Sequence, residues 1–153
     1  MRLKILLLFF LVYNPLFSNE NILKNEKYGT MIKKADFYVL KGNYKKAISI
    51  YKKILEKVPS EASILLKLAT AYYNNEDNEN SMKIVEKLDF LKNNELNFIF
   101  LKAQIYQSNN DLKNALEYYS KFLERSEDIK LKEDVRVIVN SLSKKVKIVR
   151  NRP

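Results

Sequence analysis

The sequence predicts an all-α solenoid of three helix–turn–helix repeats plus a C-terminal capping helix, and three observations predict it. Ala-x-x-Tyr recurs at Ala35 to Tyr38, Ala69 to Tyr72 and Ala103 to Tyr106, each copy 34 residues after the last. A second pattern holds the same phase, in Ala47-x-x-x-Tyr51, Ser81-x-x-x-Val85 and Ala115-x-x-x-Tyr119. Polar breaks divide the two halves of each repeat, at Lys41-Gly42-Asn43, Asn74 to Asn80, and Ser108-Asn109-Asn110-Asp111. A fixed period of this length marks stacked supersecondary units, because one helical pair cannot cover its own apolar face.

The first element is an address. In MRLKILLLFFLVYNPLFSNE, Arg2 and Lys4 precede an uncharged apolar run from Ile5 to Tyr13, which Asn14 and Pro15 break before the small Ser18. That order matches a secretory signal over residues 1–18, and the run is short for a membrane span. An uncleaved anchor is the alternative. A chain without cysteine offers no lipid-attachment site. The expectation is export, which in a bacterial cell means the periplasm or envelope.

Residues 19–27 read as a linker, and the three repeats follow at about 28–61, 62–95 and 96–129. Within each, apolar residues recur at three- and four-residue spacings on both sides of the break, as in amphipathic helices. Ala35, Ala47, Ala69, Ala103 and Ala115 are small where two helices cross closely. The tyrosines and Phe122 supply large packing surfaces. Beyond the third repeat, Leu131, Val135, Ile138, Leu142 and Val146 form one helical stripe, predicting a capping helix over 130–147 and a basic tail at 148–153.

These phased motifs resemble the tetratricopeptide repeat family over about Tyr28 to Asp128. The resemblance implies a right-handed solenoid that binds protein segments. The sequence departs from the family pattern in carrying Ala for the usual small Gly, in lacking Trp, and in keeping the terminal Pro only at Pro59. The middle repeat departs furthest, with Asn78 and Ser81 where an aromatic or Leu and an Ala are usual.

Composition restricts the chemistry. The absence of Cys and His removes disulfides, thiol nucleophiles, imidazole bases and the usual zinc ligands. Gly29 and Gly42 are the only glycines, so neither the phosphate loop nor the dinucleotide fingerprint can occur. The cluster Asn75-Glu76-Asp77-Asn78-Glu79-Asn80 lacks the ligand spacing of a calcium loop and reads as a solvated turn. Glu127-Asp128 and Glu133-Asp134 are adjacent pairs, whose side chains diverge on a helix. No catalytic residue, cofactor or metal is expected, and the chain is not expected to be an enzyme.

In the family, the first helix of each pair lines a concave groove. Carried over by position, the lining is Ile32, Asp36 and Val39, then Leu66, Thr70 and Tyr73, then Phe100, Gln104 and Gln107. Ile32, Leu66 and Phe100 are in phase and would anchor an apolar peptide or amphipathic helix. The competing reading packs them against the N-terminal segment, the capping helix or a second copy. A carboxylate clamp is not expected, because Lys67 is the one cation at the relevant positions.

Net charge is +10, and from Ile129 onward 8 basic residues face 2 acidic ones. Lys144, Lys145, Lys147, Arg150 and Arg152 therefore form a second candidate surface, suited to anionic lipid or an acidic partner. Nucleic acid is not expected, since the tail lacks interleaved aromatics. A monomer is the default oligomeric state.

Overall fold

The computed structural model describes residues 26–93 and 95–150, with side chains through Lys147. The signal reading and Arg152 lie outside the described residues, as does most of the linker. Among the described residues every regular element is an α-helix. Helices α1 (Glu26–Leu40) and α2 (Tyr44–Leu55) form the first pair, α3 (Ala62–Asn74) and α4 (Asn78–Phe90) the second, and α5 (Leu96–Ser108) and α6 (Leu112–Arg125) the third. The 22-residue α7 (Ile129–Arg150) ends the described chain. The architecture is the α-solenoid class of helix–turn–helix repeats that the period predicts.

The turn within each pair is three residues long and has one geometry. Gly42, Glu76 and Asn110 all sit in the left-handed region, at φ of 70°, 63° and 60°. In each turn this residue donates to the carbonyl one residue before the helix end, that of Val39, Tyr73 or Gln107, and the next residue donates to a tyrosine carbonyl. Those second bonds run from Asn43 to Tyr38 (2.8 Å), Asp77 to Tyr72 (3.0 Å) and Asp111 to Tyr106 (2.9 Å). This is the Schellman closure, which pairs the last carbonyls of a helix. Asn43, Asp77 and Asp111 then also cap the following helix, accepting from the N–H of Lys46, Asn80 and Asn114 at 3.3, 3.1 and 3.2 Å. One residue thus ends one helix and starts the next, which keeps the turn short.

The acidic stretch resolves on the same principle. Asn78 to Asn80 lie inside α4, so the break shrinks to Asn75-Glu76-Asp77, and Asp77 spends its carboxylate on the cap. The side-chain and backbone N–H groups of Asn80 hold the Asp77 carboxyl below the usual carboxylate range.

The chain divides into two compact units, one ending at Asn93 and the other beginning at Asn94. In the N-terminal unit, Ile32, Ala35 and Val39 of α1 pack with Ala47, Tyr51 and Ile54 of α2 and with Ile64, Leu68 and Ala71 of α3. Ser81 of α4, where the repeat pattern prefers Ala, is fully buried and donates to the Ala69 carbonyl at 2.8 Å, so the substitution leaves no orphaned hydroxyl. In the C-terminal unit, α5 packs on α6 and α6 on α7. There Leu131, Val135 and Leu142 are buried, while Ile138 and Val146 are half-buried. The helix continues three residues past 147, so Arg150 is helical and the tail predicted from 148 begins as helix.

Candidate functional site

The first three of the predicted lining residues lie on α1. Ile32 and Val39 are buried in the core with α2 and α3. Asp36 is a junction. It accepts from the Tyr51 hydroxyl of α2 and, through both carboxylate oxygens at 3.0 Å, from the Lys67 ammonium of α3. Burial, then the charge of Asp36, then its hydrogen bond push the Tyr51 phenol well above its ordinary range. Lys67, the one cation among the inner positions, is therefore committed within the fold.

On α3, successive residues step by about 100°, so its contacts can be assigned by face. Ile64, Leu68 and Ala71 enter the core with α2. Ala69 meets Ser81 of α4, and Lys67 meets Asp36 of α1. The remaining arc carries Leu66, Thr70, Tyr73 and Asn74. Leu66, Thr70 and Asn74 are only 1%, 2% and 6% exposed. The Thr70 hydroxyl donates to the Leu66 carbonyl at 2.9 Å, and neither amide atom of Asn74 has a partner. Tyr73 is half-buried, which pushes its phenol up.

In the C-terminal unit, the Phe100 ring packs on Phe122 with 4.9 Å between centroids and meets Tyr119 edge-on at 5.8 Å. Gln107 accepts from the Tyr119 hydroxyl at 2.6 Å. Gln104 is buried, and its Oε1 has no partner. Ile32, Leu66 and Phe100 share a phase, yet their surroundings differ. Ile32 and Phe100 fill the cores of their own helical pairs, whereas Leu66 lies on the arc of α3 turned away from α2.

Two features were not singled out in the sequence. Asn74 looked like part of a turn and is instead a buried helical residue. Lys102 is buried with its ammonium 4.5 Å from the centre of the Tyr118 ring, which Tyr106 stacks upon at 5.5 Å. The signal for the latter is the Lys-Ala-x-x-Tyr spacing, which sends Lys102 and Tyr106 to one helix face. Lys144, Lys145 and Lys147 are exposed on α7. Among the described residues no group of three or more acidic side chains converges as a metal site. No helix there is long and apolar enough to cross a membrane.

Two family models, each described as a tetratricopeptide repeat, match residues 38–105 and 96–129, which together cover more than half of the chain. The chain belongs to the tetratricopeptide repeat family. No curated protein matches it significantly. Tetratricopeptide repeats bind other proteins and are generally non-catalytic, which places this chain in a class of interaction modules. In this repeat protein the inner helices contribute both core and candidate surface. Of the lining residues predicted on α3, Leu66 and Thr70 are buried and Tyr73 alone keeps partial exposure.

Proposed function

We propose that the chain is a non-catalytic adaptor of the cell envelope, exported by its N-terminal signal, which holds a segment of a partner protein against its inner helices. One observation carries this reading: two tetratricopeptide repeat models match the chain, and such repeats bind protein segments along their inner helices, where Tyr73 of α3 and Gln107 of α5 keep partial exposure. A partly exposed tyrosine suits an apolar peptide or one face of an amphipathic helix. Phe100 is not an anchor in this scheme, because a charge there would unseat Tyr119 and Phe122.

The test is site-specific photo-cross-linking in intact cells from Tyr73, with exposed Lys45 as control, followed by fractionation. The reading expects one adduct from Tyr73, absent from Lys45, in the envelope or periplasmic fraction. Equal labelling from both positions would overturn the binding face, and cytosolic recovery would overturn the envelope role.

A second reading uses the basic end. The Lys144, Lys145 and Lys147 ammonium groups are exposed on α7, and they would attract anionic lipid headgroups. Vesicle binding that falls steeply with salt and disappears on truncation after Ser143 would favour it over the α3 face.

A further inference from the structure

Lys33, Lys34, Phe37 and Leu40 are exposed and, at about 100° per residue, share one arc of α1, with exposed Lys41 following at its end. Phe37 and Leu40 are 54% and 53% exposed, so half of each apolar side chain meets solvent. The Lys41 ammonium lies 5.7 Å from the centre of the Phe37 ring. Little acid offsets this charge. From Lys27 to Leu55 the chain carries 8 lysines and one carboxylate, Asp36, which is spent on Tyr51 and Lys67. At the turn, Lys41 and Lys45 line a shallow hollow of about 370 Å³ with Asn43, Tyr44 and Asn75, and among the described residues no carboxylate lines it.

The chemistry of this face selects what it meets. Protein–protein interfaces are depleted in lysine, and a face this basic repels a second copy of itself in a two-fold pairing. Lysines interleaved with Phe and Leu are instead the composition of helices that lie on a bilayer surface. We propose that this face of α1, with the turn that follows it, docks on an anionic lipid surface. Phe37 and Leu40 enter the boundary between headgroups and acyl chains. Lys33, Lys34, Lys41 and Lys45 stay at the phosphates, their long stems lying along the apolar pair. The hollow at the turn takes one headgroup. Docking uses neither the predicted lining residues nor the lysines of α7, so it stands apart from both readings above.

The chain has no tryptophan, so Phe37→Trp in the full-length protein is a lone reporter of this face. On vesicles containing phosphatidylglycerol its emission should shift to the blue and be quenched by brominated acyl chains. Neither should occur on phosphatidylcholine alone, nor for Ser60→Trp, which is exposed beyond the far end of α2. Adding Lys33→Glu, Lys34→Glu and Lys41→Glu should weaken the contact about 100-fold with helical content unchanged. Truncation after Ser143 should leave it intact. Where Phe37→Trp does not fold, Leu40→Trp reads the same face. Equal quenching on phosphatidylcholine, or quenching that survives the three charge reversals, would overturn the proposal, because the contact would not depend on the lysines. Loss of the signal on truncation after Ser143 would overturn it by assigning the contact to the basic end. A blue shift that grows with protein concentration without lipid would overturn it in favour of a second copy. An equal shift with soluble polyglutamate would overturn it in favour of an acidic protein.

Discussion

Replacing Asp36 by Ala should destabilise the N-terminal unit more than any other single polar change, because one carboxylate serves two buried-side partners. The Tyr51 side chain is 1% exposed, so its hydroxyl would be left unpaired, at a cost of about 1–3 kcal/mol. The Asp36 and Lys67 side chains are 18% and 15% exposed. Their pair sits between the surface case and the fully buried one, so its loss adds about 1–2 kcal/mol. The sum is about 2–5 kcal/mol, and a chain of this size loses about 2–4 °C of Tm per kcal/mol. Tyr51→Phe alone should cost only about 1 kcal/mol, since Lys67 still holds the carboxylate. In the Asp36→Ala background, however, Tyr51→Phe should recover about 1–2 kcal/mol by removing the orphaned hydroxyl. Urea denaturation followed by circular dichroism on the four proteins measures this cycle. A cost under about 1 kcal/mol for Asp36→Ala, or additivity of the two changes within ~0.5 kcal/mol, would refute the junction.

Three further outcomes follow from the same geometry. The raised Tyr51 phenol stays protonated in the fold while the unfolded chain ionises near pH 10. Stability is therefore retained below that pH and lost as pH rises beyond it, and Tyr51→Phe should flatten the alkaline loss in denaturation curves. Glu76 occupies a left-handed position that Gly42 fills without strain, so Glu76→Gly should stabilise by about 0.5–1 kcal/mol. Gly42→Ala should cost about 1–2 kcal/mol from the backbone alone, since nothing lies within 4 Å of the added carbon; a thermal melt of each variant decides. The depressed Asp77 carboxyl contributes stability above its unfolded value, and that contribution disappears as pH falls through the lower folded one. Asp77→Asn keeps a cap acceptor and should remove this acid-side loss, whereas Asp77→Ala should cost about 1 kcal/mol at neutral pH.

Much of the fold was legible because helical packing repeats its demands every 34 residues. Ala35, Ala69 and Ala103 are fully buried, as are Ala47, Ser81 and Ala115. The turns were harder to read. Gly42 announces a left-handed residue, but Glu76 and Asn110 adopt the same conformation without the glycine that would betray it. Their signal is the Asp that follows each, which both closes one helix and caps the next. Arg150 falls beyond Val146, the last residue of the apolar stripe, and so within the predicted tail, yet α7 carries it as helix.

The candidate surface was less legible, and Phe100 shows why. Period and wheel position put Phe100, Leu66 and Ile32 in one class. A helix fixes the direction of each side chain only relative to its own axis. Which direction is solvent, partner or core depends on neighbours that the wheel does not contain. Sequence by itself determined the helical pairs, the approximate breaks between their halves and the small residues at crossings, since these follow from periodicity along the chain. The tertiary structure alone decided that Asp36 would meet a lysine 31 residues away, that Phe100 would pack on Phe122, and that Leu66 and Thr70 would be buried while Tyr73 stays partly exposed. Those are long-range contacts, and their free energy depends on which surfaces the fold brings together.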